Sequence, residues 1–251
     1  MLSPHVIRLA TVDSTNSYLL RYEGQERMVV CVADYQTAGR GCGHNAWESR
    51  AGENLLLSVR YRPQGVAAAG QFVLSMAVAV ALKAALDGPA GRVSIKWPND
   101  IYLGDGKLCG TLIETTLRGA EVETIVAGTG INVNQTVFSG DAPNPVSLAM
   151  KLGHAVDREA LLARVMENTQ YYMAMAETDA ARLRSLYRAA LYRRSEWHPY
   201  RLPDGSVRLA LLEDVADDGH LLLCHADTDG GEPVRHAYAF KEVAFVVDNK
   251  H

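Results

Sequence analysis

Between Phe72 and Leu82 the chain reads FVLSMAVAVAL, without a single charge, before it meets Lys83. A run apolar on every side has to be covered on every side. It is shorter than the ~20 residues a membrane-spanning helix needs. We therefore read Gln71–Leu86 as a buried helix, bounded by Gly70 before and by Gly88 and Pro89 after. The chain must then supply a core large enough to enclose it, and 251 residues suffice without disulfides.

The rest of the composition agrees with a globular protein: 48% hydrophobic and 22% charged residues. Cys31, Cys42, Cys109 and Cys224 are scattered without paired metal spacing, which reads as reduced thiols in a cytoplasmic protein. Residues Met1 to Ala10 show no basic region followed by a long apolar run, so no signal peptide is expected. A net charge of −4 and a pI near 6.1 give none of the positive field that nucleic-acid binding needs. Neither a nucleic acid nor a membrane is expected as a partner.

The first four-fifths of the chain mixes strands and helices. Strands are predicted at Met28–Ala33, Asn54–Tyr61, Val93–Trp97, Leu108–Leu117 and Val122–Ala127, the last two joined by Arg118-Gly119-Ala120-Glu121. Helices are predicted from Asp157 to about Met175, and from Thr178 or Asp179 to about Tyr192. Beyond Trp197 short strands alternate with turns: Val207–Val215, His220–Cys224, Val234–Phe240 and Val243–Val247, with turns at Asp217-Asp218-Gly219 and Asp229-Gly230-Gly231. This predicts a small all-β unit, with the boundary near Arg194–Pro199.

Four clusters carry polar chemistry. Asp13-Ser14-Thr15-Asn16 precedes the apolar Tyr18-Leu19-Leu20 and reads first as a helix N-cap. Hydroxyls and free N–H groups at such a start can also hold a polar ligand. Gln36-Thr37-Ala38-Gly39-Arg40-Gly41-Cys42-Gly43-His44-Asn45-Ala46-Trp47 is a loop with an arginine between glycines; a flexible surface loop and a ligand-binding loop are equally good readings. It is not a dinucleotide fingerprint, because His44 stands where the last glycine should fall, and Gly106-Lys107-Leu108 is no P-loop. Its glycine density, with no apolar anchor before Trp47, predicts that Gly39–Asn45 is mobile until a ligand orders it.

The third cluster is Lys96-Trp97-Pro98-Asn99-Asp100, followed by the turn signal Asp105-Gly106, then Lys107-Leu108-Cys109-Gly110 and Glu114. Pro98 fixes its own φ and holds Trp97 extended, so Asn99 and Asp100 stand at a rigid strand end. Lys107 opens an apolar run; by itself it reads as a lysine snorkelling to the surface. The fourth cluster, Gly128-Thr129-Gly130-Ile131-Asn132, suggests close backbone approach to a neighbour or ligand. No histidine or cysteine spacing suggests a metal cage or a nucleophile.

In this order and spacing the four clusters resemble the catalytic domain of biotin–protein ligases, and Tyr238-Ala239-Phe240-Lys241-Glu242-Val243 resembles that family's C-terminal barrel. The resemblance covers nearly the whole chain. It implies an α+β fold of the class II aminoacyl-tRNA synthetase and biotin-ligase kind: a mixed, largely antiparallel sheet with packed helices in residues 1–195, then a small SH3-like β-barrel in residues 196–251. It implies ATP and biotin as substrates with Mg2+, biotinyl-adenylate as the intermediate, and a lysine of a carboxylase's biotin carrier domain as acceptor. The oligomeric state stays open, a homodimer included.

By the same resemblance Lys107, Arg40 and Asp100 are the catalytic candidates. Ser14, Thr15, Asn16, Gln36, Gly39, Arg40, Gly41, Lys107 and Gly110 match biotin-binding positions. Cys42, Trp47, Asn99, Asp100 and Asn132 match positions on the adenylate side, with Asp100 near any Mg2+ that accompanies ATP or near the incoming lysine. Many family members carry a further basic residue where this chain has Cys42, so the resemblance implies a looser hold on the adenylate here. The first motif begins at Asp13, so no N-terminal DNA-binding domain is expected. Two rival readings are a lipoate–protein ligase or related acyl transferase, and a biotin-binding regulator without turnover. The Gly-Arg-Gly loop and the barrel favour biotin, and intact Arg40, Lys107, Asn99 and Asp100 favour turnover.

Overall fold

The computed structural model describes residues 4–43, 45–88, 91–138, 144–226 and 233–247. His44, Pro89 and the Asp229-Gly230-Gly231 turn lie outside the described residues. Seven strands form the main sheet: β1 (His5–Val12), β2 (Met28–Gln36), β3 (Leu55–Tyr61), β4 (Ser94–Lys96), β5 (Asp100–Leu103), β6 (Gly106–Arg118) and β7 (Glu121–Ile131). Their order is β1-β2-β3-β7-β6-β5-β4. β1 runs parallel to β2 and every other pairing is antiparallel, so the fold is α+β with a mixed, largely antiparallel sheet.

Both faces of the sheet are covered, which explains why β2 reads as a continuous apolar run. Met28, Val30 and Val32 join the large core, while Val29 and Cys31 point the other way, under α1 (Thr15–Leu20) and its Leu19. On the large-core side lie α2 (Phe72–Leu86), α4 (Arg158–Thr178) and α5 (Ala180–Ala189), after the short α3 (Leu148–Leu152). Val73 to Leu82 of α2 are all buried. With the 3-10 turn before it, the helical span Ala68–Leu86 is 19 residues and apolar enough to cross a bilayer by length and composition. The shorter run at 72–82 understated this, yet α4, α5 and the sheet already enclose the helix.

The predicted caps hold. Asp157 accepts from the N–H groups of Glu159 and Ala160, and Asp179 both ends α4 and accepts from Arg182 N. The turn between β5 and β6 falls at Gly104-Asp105, one residue before the signal read from Asp105-Gly106, because Gly104 takes the positive φ of 58°. β1, β5 and α3 were not predicted.

After α5 come β8 (Trp197–Arg201), β9 (Val207–Val215), β10 (Leu221–His225), β11 (Val234–Tyr238) and β12 (Ala244–Phe245), an antiparallel sheet ordered β11-β10-β9-β8-β12. This is the small all-β unit expected for the C-terminal part; β8, with Pro199 inside it, escaped prediction. Its buried Tyr200, Leu212, Val215 and Leu223 belong to the same hydrophobic cluster as α2.

Candidate active site

The glycine floor of the site lies on the sheet face opposite α2, where alternate residues of β3, β6 and β7 point, while Phe72 and Ser75 of α2 also line the cavity. Gly110 of β6 is registered with Gly130 of β7, and Leu112 with Gly128. Removing those side chains leaves flat backbone. A Cβ on Gly130 would overlap the Trp47 indole, one on Gly110 would come within 2.7 Å of it, and one on Gly128 would overlap the Asn16 amide. The close approach expected from Gly128-Thr129-Gly130 is therefore real, and its partners are Trp47 and Asn16.

Above that floor a polar network joins the first two clusters. Ser14 caps α1, its side chain accepting from Ser17 N. Thr15 donates to Gln36 Oε1 from its N–H at 2.7 Å, with its hydroxyl 3.0 Å from the same oxygen. The Ser58 hydroxyl sits 2.7 Å from both Thr15 Oγ1 and Asn16 Oδ1. Asn16 donates to Glu114 at 2.9 Å, and Glu114 holds Arg40 by two bonds, at 3.2 and 3.0 Å. Ser14, Thr15 and Asn16 are each only 3% exposed, so these polar groups are fixed by partners and not by solvent.

The loop bearing Arg40 is a narrow hairpin. Trp47 N donates to Gly39 O at 3.0 Å, and Gly41 N to Asn45 O at 2.7 Å. Gly39 serves the base of that hairpin, where a Cβ would strike Trp47 O, and does not line the cavity. Backbone pairing and the seat of Trp47 on glycines tie the two sides of the loop together at its base.

At the other end Lys107 pairs with Asp100 at 2.7 Å, both about a quarter exposed. The turn between β4 and β5 holds a cis Trp97–Pro98 bond, and Asn99 donates to Ser75 of α2 at 3.3 Å. Lys96 points into the same space, over the rings of Tyr102 and Phe245 at 5.3 and 5.0 Å. Burial pushes its ammonium below the ordinary lysine range, partly offset by Asp100.

One cavity of about 720 Å³ brings most of the sequence candidates together. Ser14, Thr15, Asn16, Gln36, Arg40, Gly41, Cys42, Trp47, Asn99, Asp100, Lys107 and Gly110 line it. Asn132 does not: it is 3% exposed and donates to Lys107 O and Val146 O, bracing the strand behind the wall. Sequence reasoning missed Ser58 and the roles of Glu114 and Lys96, and read Phe240, Lys241 and Phe245 only as parts of the C-terminal unit, from which they reach the cavity. Among the described residues no group of three or more His, Cys, Asp or Glu could hold a metal ion. Asp100 is the only carboxylate residue among the described residues lining the cavity, so these residues build no cage that would hold an ion by themselves.

Such a site offers uncharged donors and acceptors around Thr15, Gln36 and Asn16, and cations at Arg40, Lys96 and Lys107 for anionic groups. Residues 9–132 match the biotin/lipoate A/B protein ligase family. A biotin–[acetyl-CoA-carboxylase] ligase of Paracoccus denitrificans is 35% identical over 86% of this chain and 92% of its own length. The enzyme of that name from Mycobacterium tuberculosis is 30% identical over 86% and 81%. The bifunctional ligase/repressor BirA of Salmonella typhimurium is 37% identical over 70% of this chain, which spans 56% of that longer protein. A solved biotin protein ligase of Aquifex aeolicus, in complex with biotin and ATP, shares the fold at a TM-score of 0.78 and 22% identity, covering 97% of this chain and 99% of its own. The chain belongs to the biotin–protein ligase family, a branch of the wider biotin/lipoate ligases.

Proposed function

We propose that this chain is a biotin–[acetyl-CoA-carboxylase] ligase that activates biotin with ATP and transfers it to a lysine of a carboxylase's biotin carrier domain. The observation that carries the reading is the convergence, in one cavity, of the Thr15–Gln36–Asn16 network, the cations Arg40 and Lys107, and the glycine floor. Biotin's ring system suits the network end, where uncharged donors and acceptors are already held in place. A biotin carboxylate oxygen attacks the α-phosphorus of ATP, the bond to the β-phosphate breaks, and pyrophosphate leaves. The acceptor lysine's neutral amine then attacks the acyl carbon, AMP departs, and the amine's proton is lost.

Two anions must meet in the first step, so fixed positive charge is the main requirement. Lys107 supplies it at the carboxylate and α-phosphate, and Arg40 at the flank of biotin. Asp100 holds Lys107 in place, and is the carboxylate available to Mg2+ arriving with ATP or to the incoming lysine. Trp47 and Asn99 lie on the nucleotide side, Trp47 with an aromatic face and an Nε1–H buried without a partner. We assign the catalytic domain to residues 1–195, a C-terminal unit to 196–251, and the protein to the cytoplasm.

The test is exchange of label between pyrophosphate and ATP. Exchange that requires biotin and that lipoate does not support is the expected result. Support by lipoate alone would move the chain to the other branch, and biotin binding without exchange would make it a regulator.

A further inference from the structure

Alongside Phe240 and Phe245, the second sheet delivers a lysine to the cavity. Lys241 is the third residue of the turn Ala239–Glu242. Glu242 N donates to Ala239 O at 3.1 Å, and Ala239 N to the Glu242 carboxylate at 2.8 Å. Lys241 has φ 75° while Phe240 does not share the positive sign, the pattern of a type II turn. That position favours glycine, because a Cβ there crowds the backbone. A lysine is held in it at a steric cost, and the turn is firmly docked. Phe240 meets Trp97 edge-on, with ring centroids 5.8 Å apart, and Trp97 Nε1 donates to Gly219 O at 2.9 Å.

The turn sets the Lys241 ammonium against the tip of the Arg40 loop: a Cβ on Gly43 would lie 2.9 Å from Nζ. Among the described residues four lysine or arginine side chains line the cavity: Arg40, Lys96, Lys107 and Lys241. Arg40 is paired with Glu114 and Lys107 with Asp100, while Lys96 is desolvated over two aromatic rings. Lys241 is exposed and, among the described residues, has no carboxylate partner; its ammonium lies 6.0 Å from the centre of the Phe240 ring. A triphosphate brings more negative charge than a half-neutralised Lys107 and a buried Lys96 can meet. Biotin brings one carboxylate, which Lys107 and Arg40 already serve.

We propose that Lys241 is a phosphate-binding residue for the nucleotide, supplied to the active site by the second sheet. This rests on the ligase reading. It gives the cavity a cation beside a loop whose own next position is the neutral Cys42.

The experiment compares full-length wild type, Lys241→Gly and Lys241→Arg. It measures the affinity of a non-hydrolysable ATP analogue and of biotin by equilibrium dialysis, together with thermal midpoints. Glycine removes the charge and relieves the turn, so a loss of binding cannot be blamed on strain. Lys241→Gly should weaken the ATP analogue about 10-fold, the size expected for one charge-assisted contact. Biotin affinity should stay within about twofold and the midpoint should equal or exceed that of wild type. Lys241→Arg should restore most of the nucleotide affinity, and raising the salt should narrow the gap between wild type and Lys241→Gly. ATP-analogue affinity unchanged in Lys241→Gly, or biotin and nucleotide affinities falling together, would overturn the proposal. Absence of biotin-dependent exchange in wild type would overturn the ligase reading, a separate outcome from the binding comparison.

Discussion

Two residues test the site directly. Lys107 pairs with Asp100 at the start of β6 while still about a quarter exposed. Lys107→Ala removes a preorganised charge from the first step and should slow biotin-dependent exchange by about 10²–10³-fold. The strand should survive, since alanine fits it and Asp100 can turn to water; circular dichroism checks this. Exchange within a few-fold of wild type would take Lys107 out of the chemistry. Gly130 tests the floor. A methyl group there overlaps the Trp47 indole, so Gly130→Ala should unseat that ring and red-shift tryptophan emission. In a double-mutant cycle with Trp47→Ala the stability penalty should shrink, giving a coupling above about 0.5 kcal/mol. Strictly additive behaviour would mean the two do not touch in solution.

At the scale of elements, α2 sets the architecture. Its small residues let α4 and α5 pack closely on one side and the sheet on the other; Ala77, Ala79 and Ala81 are all fully buried. Ala79→Leu should therefore overpack the core and cost about 1–3 kcal/mol. The midpoint of urea unfolding reads this, and an unchanged midpoint would show the helix less enclosed than described. The β6–β7 hairpin, by contrast, is written in the turn: Arg118 faces Glu121 across Gly119-Ala120, and Gly119 takes a φ of 61°. A one-residue shift between Thr116 and Leu117 then changes that register, and the turn together with this bulge puts Gly110 opposite Gly130 at the far end of the same two strands.

For the whole molecule, the two sheets share one core and one cavity. Beyond the shared apolar cluster, Ser195 N donates to Leu212 O at 2.9 Å, Arg193 to Val246 O at 2.8 Å, and Arg188 reaches Val215 O, Asp214 and Asp217. Ties of this density predict cooperative unfolding. Far-UV circular dichroism and the fluorescence of Trp47, Trp97 and Trp197 should follow one coincident urea transition. Two separated transitions would show that the sheets unfold independently.

Local chemistry was legible in the chain. The uniformly apolar α2, the caps at Asp157 and Asp179, the alternating strands and the four polar clusters all rest on forces acting between near neighbours, which leave their pattern in short stretches of sequence. Most of the cavity residues were named from such stretches and from the resemblance they carry. What needed the tertiary structure was everything set by residues far apart in the chain. Ser58 reads as one polar residue in a buried strand until β3 places it between Thr15 and Asn16. Glu114 is a strand carboxylate until Arg40 and Asn16 converge on it. Asn132 looks like a ligand group until its amide is seen bound to backbone behind the wall. Lys241 sits in a turn of another sheet, and only the docking of that sheet on Trp97 turns a strained surface lysine into part of the site. Sequence patterns record what a residue does to its own helix, strand or turn, whereas which elements face one another follows from packing the entire core.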